Sequence, residues 1–149
     1  MSQIGFYHLT RSDLFAALPA LLGRTLAAKE TALVVCPDEA TLRVMDERLW
    51  TCASPDWLPH GTAATPHPEW QPVFLTLIAE ENPAKARFLF CVNGAGADAA
   101  SGFARVFDLF DGNDPDAVAA ARGRWKAAKE AGYELAYWKQ EESGWVKAG

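Results

Sequence analysis

Val118, Arg122, Trp125, Lys126 and Lys129 carry the side chains of this sequence best suited to hold a ligand. On a helix advancing about 100° per residue, the three cations share one face, and Val118 and Trp125 border it. Cations gather carboxylates or phosphates, and an apolar pair beside them accommodates an apolar end of the same ligand. The same pattern also describes an ordinary solvated helix face whose tryptophan completes the edge of a core. Periodicity alone leaves both readings standing. The opposite side, Ala117, Ala120, Ala127, Ala128 and Ala131, is small enough to lie close on a sheet and is the expected packing face. Arg124 also projects there and requires a carboxylate partner or a route to solvent. The stretch "ARGRWKAAKEAGYELAYWKQ", residues 121–140, sets five basic side chains against two acidic ones. It ends in Tyr137, Trp138 and Lys139, which strengthens the ligand reading.

A second candidate is "GAGADA", residues 94–99, which satisfies the loose form G-x-G-x-x-A after the apolar run "FLFCV". Asp108 and Asp111 follow near the end of the next strand. This is the outline of a dinucleotide fingerprint, so a nucleotide- or dinucleotide-binding α/β enzyme using the Gly94–Gly96 loop is the alternative function. The connection from Asn93 to Ala104 is short for a parallel crossover with its helix, and a plain glycine-rich loop accounts for so brief a pattern. His8, His60 and His67 lie far apart and read as loop or surface residues. There is no phosphate-binding G-x-x-x-x-G-K-[ST], no G-x-S-x-G and no Cys/His spacing suited to zinc. No catalytic residue, cofactor or metal is therefore expected.

The elements that must position these residues alternate between strand and helix. "QIGFYHL" reads as a strand, and "RSDLFAALPALLGRTLAAKE" as a helix with Leu14, Leu18, Leu21, Leu22 and Leu26 on one face. Ser12 or Thr10 is available as its N-cap, and Pro19 should kink it. "TALVVC" is a buried strand, after which Asp38 can cap a helix whose Leu42, Met45 and Leu49 face the core. Residues 51–71, rich in Pro, Thr and Ala, read as a long ordered loop. Strands follow at "PVFLTLI", "RFLFCVN", "RVFDLF" and "ELAYWKQ". Between the last two, Asp114 as N-cap, Pro115 at the first helical position and Gly132 as the stop define one helix. The fold class is α/β: a single domain over residues 1–149, Rossmann-like, with a mostly parallel sheet and helices on both faces.

Nineteen acidic against 14 basic side chains give a formal net charge of −5. That balance excludes a surface that coats nucleic acid as a whole, so any anion site must be local. Cys36, Cys52 and Cys91 are an odd number with no close pairing, which suits free thiols in a reducing compartment. No run of about 18 apolar residues and no signal-peptide pattern occurs, so a cytoplasmic protein without a membrane association is expected.

Several segments resemble one known family. They are "FYHL", "ALVVCPDEATLRVMDERLW", "DWLPHG" and "RVFDLFDGNDPDAVAAARGRWKAAKEAGYEL", which span nearly the whole chain in the family's order. Their combination, not any single catalytic signature, is similar to the chi subunit of bacterial DNA polymerase III, an accessory subunit of the clamp loader. The intervening "GTAATPHPEWQPVFLT" and "NGAGADAASG" fall where that family varies most.

The resemblance implies a non-catalytic adaptor in DNA replication, with no direct sequence-specific nucleic-acid binding. Its implied partners are the acidic C-terminal tail of single-stranded DNA-binding protein and the psi subunit. A helicase-like protein is an alternative partner at the psi surface. The tail ends in aspartates, proline and a terminal phenylalanine. By resemblance, Arg122, Trp125 and Lys126 occupy tail-binding positions, and Phe110 matches an apolar wall of the slot. Val118 stands where some members carry a basic residue, and Lys129 can substitute for that charge. Trp50 and Trp57 match the aromatic positions that engage psi. The alternative for these two is that Trp50 packs on the core and Trp57 alone is exposed.

Overall fold

The computed structural model describes residues 3–10, 14–51, 59–141 and 144–148. Seven strands form one sheet: β1 (Gln3–Leu9), β2 (Ala32–Val35), β3 (Val73–Thr76), β4 (Phe88–Val92), β5 (Arg105–Asp111), β6 (Glu134–Glu141) and β7 (Gly144–Lys147). Their order is β3-β2-β4-β5-β1-β6-β7, and every pairing is parallel except that of β6 with β7. Each residue of β2, β3 and β4 is buried, as continuous apolar strands covered on both faces must be.

Helices α1 (Leu14–Ala27) and α2 (Glu39–Thr51) cover one face. Leu18, Leu21 and Leu22 of α1 and Met45 and Leu49 of α2 pack there with Val34, Leu75, Phe90 and Leu109. Helix α3 (Pro115–Glu130) covers the other face, where Ala121 and Ala128 join Ile4, Phe6, Val106 and Phe110. The expected architecture is thus observed. Asp38 caps α2 by accepting from the Thr41 N–H at 2.7 Å. Of the two N-cap candidates for α1, Ser12 lies outside the described residues and the Thr10 hydroxyl donates to the Gln140 carbonyl at 3.0 Å, while α1 runs through Pro19.

Three features differ from expectation. Strand β7 has no counterpart among the strands expected from the sequence, and its antiparallel pairing covers the edge that β6 would otherwise present. The "GAGADA" segment leads into a short 3-10 turn, Ala97–Gly102, so the β4-to-β5 crossover is made without a full helix. The loop after α2 contains a 3-10 turn at Pro68–Trp70 and a bridge from Gly61 to Phe74 that lies along β3. Cys36 and Cys91 are buried and free, and burial drives both thiols upward, that of Cys36 to about 12. Cys52 lies outside the described residues.

Candidate functional site

The geometry of α3 begins at its ends. Asp114 accepts from the Asp116 N–H at 3.0 Å, Pro115 occupies the first turn, and Gly132, at φ 87°, ends the helix in the left-handed region. Between these limits the helix lies on the sheet by Ala121 and Ala128, with Val118 and Trp125 half-buried beside them. This corrects the expected alanine face: Ala120, Ala127 and Ala131 are exposed. The cause is the large ring. Trp125 meets Phe6 edge-on at 5.3 Å between centroids and Tyr137 at 5.8 Å, so its burial, not the smallest side chains, sets the rotation.

Arg124 fixes that rotation from the other side. Its guanidinium donates to both carboxylate oxygens of Asp108, at 2.7 and 2.9 Å, and so finds the carboxylate it required. Asp108 is only 2 % exposed; burial raises its carboxyl pKa while Arg124 opposes the rise. Bidentate pairing ties α3 to β5 in one azimuth. The pair also explains the glycine-rich loop. A Cβ at Gly94, φ 79°, would fall 2.4 Å from the Arg124 guanidinium, and one at Gly96 would crowd Val35 at 3.0 Å. Both glycines are thus accounted for by close approach of protein groups. Asp111, three residues beyond Asp108, lies on the opposite face of β5 and accepts from the Asn113 N–H, so the two carboxylates do not converge.

With α3 so placed, Arg122, Lys126 and Lys129 are exposed along one side and form no ion pair among the described residues. Val118 and Trp125 make the seam between these cations and the sheet. Phe110 is in a different position from the expected wall. At 1 % exposure it is floor, covered by the His8 ring at 5.1 Å and approached by Tyr137 at 6.4 Å. An arriving apolar group would meet Trp125, Tyr137 and His8, with Phe110 beneath.

His8, which reads in the sequence as a loop or surface histidine, lies on β1 against Tyr137 and Phe110. Its Nδ1 hydrogen-bonds the Tyr137 hydroxyl, and its ring crosses that of Tyr137 edge-on. Burial lowers the His8 pKa, and the charges of Lys139 and Arg122 push the same way against a hydrogen bond with the Gly112 backbone. Gly112 has to be glycine for this contact, because a Cβ there would overlap the His8 ring.

The second candidate surface lies on α2. Trp50 is 60 % exposed, which rules out the alternative in which it packs on the core. Its ring rests on His60, 4.3 Å between centroids. His60 is buried, not a surface residue as expected, and its Nε2 lies 2.9 Å from an Asp46 carboxylate oxygen and 3.2 Å from the Asp46 carbonyl. Trp57 lies outside the described residues. A further exposed ring, Trp70 at 71 %, stacks on His67 at 3.9 Å. The described residues contain no cluster of His, Cys, Asp or Glu able to hold a metal ion and no helix long and apolar enough to cross a membrane.

Comparison with known proteins places these features in context. Residues 1–136 match the family described as DNA polymerase III chi subunit, HolC. The chain is 29 % identical over 148 residues to the DNA polymerase III subunit chi of Escherichia coli strain K12, covering 93 % of this chain and 100 % of that protein. It is 24 % identical over 93 residues to the probable DNA polymerase III subunit chi of Rickettsia prowazekii strain Madrid E, covering 62 % of this chain and 56 % of that protein. With nearly all of its length matched, the chain belongs to the DNA polymerase III chi subunit family.

Proposed function

We propose that this chi-family chain is a tethering adaptor that holds the acidic C-terminal tail of single-stranded DNA-binding protein on α3. It engages psi, or a helicase-like partner at the same surface, through Trp50 and Trp57. In this way it links the clamp loader to coated single strands in the cytoplasm. The family is an accessory subunit of DNA polymerase III and is not catalytic by itself.

One observation carries the tail reading: three exposed cations, without an ion pair among the described residues, run beside a half-buried seam of Val118 and Trp125. Carboxylates are drawn to the first part and a terminal ring to the second. The charge of Arg122 acts on both His8 and Tyr137. Titration of a fluorescent acidic peptide ending in proline and phenylalanine tests the reading. Arg122→Glu should abolish binding while the unfolding midpoint stays put. Undiminished binding by Arg122→Glu would refute the assignment.

A further inference from the structure

The cations of α3 have a counterpart on the sheet. In register, Phe110 of β5, His8 of β1 and Lys139 of β6 lie side by side in one row across three parallel strands. Strand alternation sets Lys139 on the same face as Leu135 and Tyr137, which belong to the core beneath α3. The row next to it pairs Phe6 with Tyr137, the two rings that receive Trp125. Lys139 is exposed and, like Arg122, forms no ion pair among the described residues. Both charges act on His8, whose Nδ1 hydrogen-bonds the Tyr137 hydroxyl.

We propose that the anion-binding surface continues from α3 onto the strand ends, with Lys139 as a fourth ligand-binding cation across the His8–Tyr137 bridge from Arg122. This rests on the tail-binding reading of α3 and adds to it a residue beyond the stretch 1–136 that matches the family. The ligand is an acidic peptide whose carboxylates span the bridge while its apolar end lies against Trp125 and Tyr137. Local charge sets its direction. Asp114 and Asp116 stand at the N-terminal end of α3, where the Asp114 carboxylate accepts from the Asp116 N–H. They repel an anionic chain from that end, whereas Arg122 and Lys139 attract one towards the strand ends.

A charge-matched control lies on the same pair of strands. Lys147 of β7 pairs with Trp138, whose ring belongs to the opposite core, so Lys147 faces away from α3. Fluorescence anisotropy with the labelled acidic peptide ending in proline and phenylalanine compares Lys139→Glu, Lys139→Arg, Lys147→Glu and Arg122→Glu. Lys139→Glu should weaken binding about fivefold to tenfold, Lys147→Glu less than about twofold, and Lys139→Arg should bind as the parent does. The affinity of Lys139→Ala should also fall less steeply with salt. Equal affinities for Lys139→Glu and Lys147→Glu, with Arg122→Glu still inactive, would overturn the extension and leave the helix site standing. Parental binding by Arg122→Glu would remove the helix site itself. Weakening by Lys139→Arg as large as by Lys139→Glu would make the position one of packing and overturn its role as a charge.

Discussion

Two tryptophans, on helices that cover opposite faces of the sheet, are held in different ways. Trp125 is wedged between Phe6 and Tyr137, with cations along one side. Trp50 stands 60 % exposed on α2, its ring resting on a buried histidine and its neighbourhood acidic through Asp46 and Glu47. The first ring is preorganised: its position is fixed by core contacts, so a ligand bound there would require little further ordering. The second gains most from being covered, since an exposed indole removes much apolar area from water when a partner closes over it. The two surfaces should therefore answer differently to salt, to truncation and to changes in the core.

Releasing α3 from the sheet should have the largest effect. Arg124→Met leaves the Asp108 carboxylate buried without its partner and should destabilise the fold by about 3–5 kcal/mol near neutral pH. It should also weaken peptide binding on α3 while leaving the Trp50 surface intact. The pH dependence has a defined sign. Burial already raises the Asp108 pKa, and losing the guanidinium raises it further. A raised native pKa contributes stability that is complete below the unfolded value of about 3.9 and is lost as pH rises through the native value. Urea unfolding should thus show a smaller deficit at about pH 4 than at about pH 7. An equal deficit at both would mean that the pair does not hold the helix.

Trp50→Ala should cost about 2 kcal/mol in association with psi, the scale of an aromatic hot spot. Calorimetry should find acidic-peptide binding unchanged, and stability nearly so, because the ring is mostly in solvent. The smallest change is expected at Val118. Val118→Lys adds a cation at the half-buried border and should raise peptide affinity by about 0.2–1 kcal/mol, with a steeper fall as salt increases. Psi association should not respond, which competition titrations at two ionic strengths would reveal.

Much of this arrangement is legible in the residues. Leucine spacing locates α1, Asp38 and Asp114 mark helix starts, and the apolar runs mark β2, β4 and β5 because strands covered on both faces need no alternation. The cations of α3 are likewise visible from spacing. Its rotation is not, because alanines occur all around the helix and the deciding contacts of Trp125 are with rings of β1 and β6. Strand β7 is only four residues long and is held by its antiparallel partner, so it carries little local signal. His8 and Lys139 are neighbours only through the pairing of β1 with β6, strands far apart in the chain. No local pattern encodes that register. Phe110 is a related case: its type is that of a slot wall, but its depth depends on His8 lying over it.

On the proposed reading α3 offers a pocket for an acidic peptide with an apolar end, as distinct from a merely basic face. Comparing the acidic peptide with and without its terminal phenylalanine, at low ionic strength, tests this most directly. Attraction between exposed charges is strongest there, since the screening length grows to roughly 30 Å at about 0.01 M salt. Burying the ring against Trp125 and Tyr137 should contribute about 1.5–3 kcal/mol. The shortened peptide should therefore bind tenfold or more weakly even under these conditions, a factor of ten corresponding to about 1.4 kcal/mol. Equal affinity of the two peptides at low salt would contradict the account and reduce the cations of α3 to a solvated face.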